Sequence, residues 1–484
     1  MTYVDVAIIG GGITGLSAAW YLQQAASPPT YALLEKSDRW GGKILTETIA
    51  SHPDADPFII EAGPDSFIRQ KPWALQLATQ LGLTPHLLPT NDDRRQTFVL
   101  HQGRPIPLPD GVMLMVPTKI KPFALSPLIS PLGKLRMALD LILPAKKDTQ
   151  DETVANFINR RLGQEALDKI AEPLLSGIYN ADAQRQSLLA TFPRFQQLEA
   201  KHGSLIKGML AARQSHPPTT KQSSPPSKPS MFVSLHQGMS HLVTTLHAQL
   251  TGDCRLNTGV QQITSHPAHG YQLTLDDGTS LHAGTIILAV PAYIAARLVA
   301  DIAPQVTPLL NQIRYVSTGT ITLAYHRQDI PHPLNGFGIV IPRSEQRQIN
   351  AITWSSVKFD HRAPQDYALL RVFFGGSRTP EMMTLDDDHL RQIVQQELHD
   401  IMGIQAPPHL HRIYRWPQAT PQYDVGHLDR IDAIEDALPL GIFVTGSPYR
   451  GLGLPDCIHQ AEQTAVLATT HLKQISPQTA PHPT

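Results

Sequence analysis

The stretch Gly10-Gly11-Gly12-Ile13-Thr14-Gly15-Leu16 constrains this chain more than any other. Residues 3–9 before it form a short apolar run ending in glycine, which suits a buried parallel strand better than a helix. Gly10, Gly12 and Gly15 fall at the GxGxxG spacing. In that arrangement the first glycine makes a tight turn, the second lets backbone approach a pyrophosphate, and the third allows a helix to pack closely on a strand. A helix beginning near Ile13 aims its free N–H groups at the same anion. A second strand, Tyr31–Leu34, leads into Glu35, where a carboxylate accepts hydrogen bonds from a ribose. Strand, turn, helix and acid in this order predict a Rossmann-like α/β domain that binds a dinucleotide. FAD and NAD are not separated by these residues. The second glycine pair, in Arg39-Trp40-Gly41-Gly42-Lys43, favours FAD, because backbone can close there on a long extended cofactor.

A length of 484 residues allows two or three domains and a large core. The net charge of −1 offers no basic excess to offset phosphates, which excludes nucleic acid as the main partner. Cys254 and Cys457 are the only cysteines and stand at no ligand or redox spacing. This argues against a disulfide scaffold and a structural zinc site, predicts no metal, and fits a reducing, cytoplasmic setting. With the first strand starting at about residue 3, no secretory signal is expected. The longest apolar stretches, 286–300 and 112–143, are broken by prolines, lysines or arginines short of a bilayer's thickness, so any membrane contact is peripheral.

Further along, residues 58–67 read as a strand followed by a Gly63-Pro64 turn, with Asp65 or Ser66 placed to cap a following helix. Beside a dinucleotide fold, the same turn suits the ribityl or isoalloxazine part of a flavin equally well. Arg69 and Lys71 open a helical stretch through Leu83, either as solvated cations or as an anion clamp at the pocket mouth. Residues 94–109 are strand-like, with a hairpin at His101-Gln102-Gly103. Segments 132–143, 153–162, 165–175 and 195–213 predict an inserted helical lobe. Its apolar segments beside Lys119, Lys121 and Lys134 suit either a membrane surface or an ordinary core. The Pro-, Ser-, Thr- and Lys-rich segment 216–230 reads as a loop. A buried strand at 285–290, ending in Ala289-Val290-Pro291, is suited to rejoin the first sheet, which makes the cofactor domain discontinuous.

Strand candidates at 320–325, 337–341, 351–354 and 369–374 predict a mixed or antiparallel sheet as the roof of a substrate pocket. Of Phe373 and Phe374, alternation turns only one toward any given face. Residues 443–457 read as a strand, a glycine-rich turn and a helix N-terminus, with Cys457 either packed or an activated thiol. The expected organisation is cofactor binding at 1–90, 231–300 and 412–475, a helical lobe at 91–215, a flexible loop at 216–230, a substrate domain at 301–411 and a disordered tail at 476–484.

Five motifs in combination resemble the flavin-dependent porphyrinogen oxidases of heme biosynthesis, the protoporphyrinogen and coproporphyrinogen III oxidases. They are GGGITGL with Glu35, EAGPDSF at 61–67, EPLLSGIYN at 172–180 running into LATFP at 189–193, RWPQATPQYDVGH at 415–427, and YRGLGLPDC at 449–457. The resemblance implies an amine-oxidase-like flavoprotein fold. It implies that Gly10, Gly11, Gly12, Ile13, Thr14, Gly15, Glu35 and Lys36 hold the adenosine diphosphate half of FAD, with Val260 at the adenine. Lys43, Gly63, Pro64, Asp65 and Ser66 are implied along the ribityl and flavin portion, and Trp416, Leu452, Gly453 and Leu454 around the isoalloxazine. On the substrate side it implies Gly177 opposite the flavin and Phe373 against a pyrrole ring. In the plant form an arginine meets a propionate at the position here held by Thr97, so Arg69, Lys71, Arg94 and Arg95 are the alternative candidates.

The implied chemistry is a six-electron oxidation of a porphyrinogen, with hydride passing from a meso carbon to flavin N5 and molecular oxygen reduced to hydrogen peroxide. No side chain is expected to act as the catalytic group, since the cofactor carries the chemistry. Coproporphyrinogen III is favoured over protoporphyrinogen IX as substrate. The alternatives are a flavin amine oxidase or carotenoid desaturase, and a non-catalytic porphyrin-binding flavoprotein. Expected partners are the porphyrinogen, oxygen, the inner face of the cell membrane and a ferrochelatase receiving the product, for a monomer or homodimer.

Overall fold

The computed structural model describes residues 2–50, 56–109, 112–113, 116–117, 119–214, 230–267 and 269–475. The expected loop, apart from Ser230, and the expected tail lie outside the described residues, as does part of the apolar segment 112–117.

The strand Thr2–Ile9 is buried on both faces, with Val6, Ala7 and Ile8 wholly inaccessible, as a central parallel strand requires. It pairs in parallel with Tyr31–Leu34 on one side and Ser280–Leu288 on the other. Asp253–Arg255 extends the sheet beyond Tyr31–Leu34. The strand expected at 285–290 begins earlier because it has two successive partners on one edge. Residues 280–283 pair antiparallel with Gly270–Leu275, and residues 286–288 pair parallel with Ile442–Val444. The first sheet is therefore assembled from distant parts of the chain, and the cofactor fold is discontinuous. Ala7, Ile9, Ala32 and Leu34 face one core, while Val6, Ile8, Tyr31 and Leu33 face another. The helix Ile13–Gln23 has no polar face, since it is wedged against the sheet and the helix Leu454–Ile475.

A second sheet of seven strands stands over the carboxyl edge of the first. Its order is Leu410–Pro421, Tyr315–His326, Tyr367–Gly375, Ala351–Trp354, Gly338–Val340, Thr97–His101 and Arg104–Pro107. All neighbours are antiparallel except Gly338–Val340 with Thr97–His101. Two segments differ from the expected organisation. The hairpin 97–107, grouped with the helical lobe, belongs to this sheet because Phe98 and Leu100 complete its core with Ile321 and Leu370. Leu410–Pro421, grouped with the cofactor domain, is its edge strand. The helix Asp387–Met402 covers the face opposite the first sheet.

The helical lobe packs around its own core of Phe157, Ile158, Leu188 and Phe195. The helix expected at 195–213 is two, Pro193–His202 and Leu205–Gln214, because Gly203 ends the first in the left-handed conformation (φ 70°). Asp65 and Ser66 cap no helix: the short strand Phe67–Ile68 follows them, and the next helix, Trp73–Gln80, starts at Pro72 without a side-chain cap.

Candidate active site

Between the carboxyl edge of the first sheet and the underside of the second lies a cavity of about 660 Å³. Its nucleotide end is made of backbone. Gly10 turns at φ 107°, a left-handed conformation that favours glycine, and a Cβ there would meet the Ala289 carbonyl at 2.5 Å. A Cβ on Gly15 would stand 1.8 Å from the Gly10 carbonyl oxygen, so helix and strand touch only because that residue is glycine. At Gly12 the nearest atom to an added Cβ is 4.0 Å away, which leaves the turn open toward the cavity. Glu35 braces the turn: Oε2 accepts from the Gly11 N–H at 2.6 Å, and Oε1 accepts from the Ser37 N–H and hydroxyl.

The other end is closed by side chains from the second sheet gripping the turn that follows Phe58–Glu61, a strand paired with Thr46–Ile49 in a small sheet of its own. A Cβ on Gly63 would lie 1.8 Å from the Lys43 carbonyl oxygen, so the two segments are in backbone contact. The Ala62 carbonyl accepts from Trp416 Nε1 at 2.9 Å and from Arg371 at 3.3 Å, and the Gly63 carbonyl accepts from Arg371 at 2.5 Å. The Arg371 guanidinium lies 4.8 Å over the Phe373 ring. Burial would raise the Asp65 carboxyl, but Lys358 at 2.8 Å and Arg371 outweigh it and hold the group below the ordinary carboxylate range. The Lys43 ammonium donates to the Ala419 carbonyl, and burial pulls its pKa down.

The glycine-rich turn after Ile442–Val444 is pinned by the motif of residues 415–427. Tyr423 donates to the Ser447 carbonyl at 2.7 Å and accepts from the Gly451 N–H at 2.9 Å. Burial pushes the pKa of His427 down to about 4, so its neutral ring donates from Nε2 to the Tyr449 carbonyl at 2.8 Å. The Tyr423 and His427 rings stack with centroids 3.9 Å apart.

Residues 13–469 match the model of the flavin containing amine oxidoreductases. The chain is 38% identical to the coproporphyrinogen III oxidase of Bacillus subtilis (strain 168), covering 96% of this chain and 98% of that one. It is 32% identical to that of Staphylococcus aureus (strain NCTC 8325 / PS 47), covering 95% and 98%. A crystal structure from Exiguobacterium sp. 255-15, which carries a provisional protoporphyrinogen oxidase name, superposes with a TM-score of 0.83 at 31% identity, covering 98% of this chain and 99% of that one. This chain is a member of the porphyrinogen oxidase family.

The cofactor of this flavoprotein family is FAD, and the cavity suits it. The open cradle at Gly12 meets the N-terminus of Ile13–Gln23, and at the far end Gly63, Pro64 and Trp416, which is hydrogen-bonded to Ala62, line the space together. Of the residues that the family resemblance singles out, Gly10, Gly12, Ile13, Thr14, Glu35, Lys36, Lys43, Gly63, Pro64, Val260, Phe373, Trp416, Leu452 and Leu454 line this cavity. Gly11, Gly15, Asp65, Ser66 and Gly453 are not on its lining. Ser66 donates to Asp65 at 2.7 Å, and an added Cβ on Gly453 would meet Asp456 at 3.0 Å. Gly177 lies in the helix Glu172–Tyr179, where side chains 176–179 fall outside the described residues, and the next residue, Asn180, lines the cavity.

The cations expected to meet propionates are not on this wall. Lys71 is tied to both oxygens of Asp456 at 2.7 Å, Arg69 follows the short strand Phe67–Ile68 with its N–H on the Met231 carbonyl, and Arg95 is exposed on a 3-10 turn. Arg371 and Arg297 are the arginines that line it. Arg371 escaped the sequence reading because it sits in a strand where alternation alone decides direction. Its nearness to Phe373, two residues on along that strand, was the available signal. Cys457 lines the cavity but is packed rather than activated, since burial pushes its thiol up to about 11.

Proposed function

We propose that this chain oxidises coproporphyrinogen III to coproporphyrin III, with loss of six electrons and six protons as three molecules of oxygen become three of hydrogen peroxide. The observation that carries the reading is the cavity itself, in which a dinucleotide cradle and the Arg371, Phe373 and Trp416 face of the second sheet share one space. FAD, when bound, supplies the two-electron acceptor. The protein's part is to hold and shield. The cation–π pair of Arg371 and Phe373 offers a flat surface to a pyrrole ring, and Trp416 keeps its indole on the turn at Ala62 while its ring excludes water. No histidine lines the cavity among the described residues, and its one carboxylate, Glu35, is committed to the Gly11 turn. This supports proton release through the substrate's own pyrrole nitrogens rather than a dedicated base.

The choice of coproporphyrinogen III rests on the names of the bacterial relatives at 38% and 32% identity. The test is anaerobic bleaching of the purified yellow protein by coproporphyrinogen III, protoporphyrinogen IX and a primary amine, followed by aerobic turnover read as porphyrin fluorescence. Faster bleaching by coproporphyrinogen III is expected. Faster bleaching by protoporphyrinogen IX overturns the substrate, bleaching by amine overturns the reaction, and tight porphyrin binding without peroxide leaves a carrier.

A peripheral membrane contact is the second part of the proposal. No helix among the described residues is long and apolar enough to cross a membrane. Leu125, Leu132, Leu135 and Ile142 nevertheless expose 76%, 79%, 64% and 78% of their surface on one lobe, beside Lys134. Flotation with anionic vesicles should be lost when Leu132 and Ile142 become serine.

A further inference from the structure

Far from the cavity, three histidines converge on one face of the first sheet. His266 ends the strand Val260–His266, His269 lies in the hairpin that returns as Gly270–Leu275, and His282 lies near the start of Ser280–Leu288. The hairpin pairs His266 with Gly270, and the neighbouring ladder pairs Gln272 with His282. Ring centroids are 4.8 Å apart for His266 and His269, 4.6 Å for His266 and His282, and 5.1 Å for His269 and His282. One ring nitrogen from each lies within 4.8 Å of the other two. His282 is 4% exposed, His266 is half-buried and His269 is exposed, so the group has a fixed floor and an open mouth.

The geometry points to a three-histidine site for a borderline divalent transition-metal ion, of the zinc, cobalt or nickel class. Neutral imidazole is the nitrogen ligand these ions take, at about 2.0–2.1 Å. Tetrahedral coordination at that length puts donor nitrogens about 3.3 Å apart. The nitrogens need to draw in by at most about 1.5 Å from the separation above, a change that side-chain torsions of His266 and His269 at the hairpin end supply. His266 and His282 come from two strands and His269 from the turn between Val260–His266 and Gly270–Leu275, so a bound ion clamps the outer hairpin to the strand that crosses the sheet's centre. The fourth position, at the exposed mouth beside His269, is left for water. Bulk composition hides such a site, since its residues are scattered over seventeen positions with the strand Gly270–Leu275 between them.

The site is distinct from the cavity. Seven residues of extended chain separate His282 from Ala289 on the cavity wall, a distance of about 23 Å. The ion therefore has a role in stability or regulation and touches no reacting atom.

The experiment is zinc titration of the flavin-loaded protein against a chromogenic chelator, with cobalt as a spectroscopic probe and hydrogen exchange as a local readout. Expected are one equivalent bound, visible cobalt bands of a four-coordinate ion, and slowed amide exchange within 260–288. His269→Ala should weaken binding at least tenfold, and adding His266→Ala should abolish it, with flavin content and circular dichroism unchanged. Both substitutions lie at the accessible end of the hairpin, so the folded state survives them. The proposal is overturned if the wild type binds no zinc against the chelator, or if the double variant keeps the one-equivalent binding and the protected amides.

Discussion

On the first-sheet side of the cavity the contact surface is main chain, at Gly10, Gly12, Gly42 and Gly63, whereas on the second-sheet side it is side chain, at Arg371, Phe373 and Trp416. A backbone wall is specified by local sequence and at Gly10 and Gly63 leaves no room for an added atom. A side-chain wall depends on which distant strands pair, and it can be altered in chemistry while its scaffold stands. The difference predicts two kinds of failure. Gly15→Ala drives a methyl into the Gly10 carbonyl and must move the cradle, so the flavin-to-protein ratio of purified protein is expected to fall at least about tenfold. Gly278→Ala is the control: φ there is +81° but nothing lies within 4 Å, so only about 1–2 kcal/mol of left-handed strain is added and flavin is retained. Equal flavin loss in both variants would remove the distinction between the walls.

Arg371→Met tests the junction. Arg371 is 5% exposed, and its guanidinium is the partner of the Gly63 and Ala62 carbonyls as well as a neighbour of Asp65. Removing one member of a buried charged cluster costs about 3–5 kcal/mol, read as a lowered denaturation midpoint. Lys358 stays with Asp65, so the flavin loss should be smaller than for Gly15→Ala. If midpoint and flavin content are unchanged, Arg371 does not hold the turn.

Glu61 sits where the two walls meet, with Oε1 accepting from the Met239 N–H at 2.7 Å and Oε2 from the Thr46 hydroxyl at 2.8 Å. Burial outweighs these bonds and raises its pKa to about 7. Because the folded value exceeds the unfolded value of about 4.3, its contribution to stability is fully present below the unfolded value and is lost as pH rises to about 7. The loss is of order 3 kcal/mol. Glu61→Gln should flatten the fall in denaturation midpoint across that window. His427 acts with the opposite sign: its depressed value of about 4 makes its contribution disappear as pH falls from about 6.5. A wild-type profile whose slope the Gln variant leaves untouched would remove Glu61 as its source.

What could be read in advance follows the same division. The strand, turn, helix and acid at residues 3–35 are local, and the structure places Tyr31–Leu34 and the start of the helix at Ile13 where periodicity and glycine spacing put them. Gly10 and Gly12, which line the cavity, are therefore readable from spacing alone. The propionate candidates Arg69, Lys71, Arg94 and Arg95 rest on charge alone, and the fold ties Lys71 to Asp456, 385 residues away in sequence. Strand pairing decides such matters, and no short window contains it. The hairpin 97–107 joined the second sheet for the same reason: its apolar residues had a core to complete that lies more than 200 residues further on.

Phe373 and Phe374 give the finest version of the comparison, because one step along a strand exchanges the two environments. Phe374 is wholly buried in the core between the second sheet and Asp387–Met402, whereas Phe373 faces the cavity under Arg371. Phe373→Ala removes a flat apolar contact from the substrate while leaving the core filled. The expected result is a KM raised about tenfold, equivalent to about 1.4 kcal/mol of binding, with flavin content retained and little change in kcat. Phe373→Leu keeps most of the apolar area but not the ring, so partial recovery measures how much of the effect is area and how much is stacking. If KM stays at the wild-type value in both variants, the tetrapyrrole does not rest on this face, and the side-chain wall serves only to hold the turn at Ala62 and Gly63 against the cofactor.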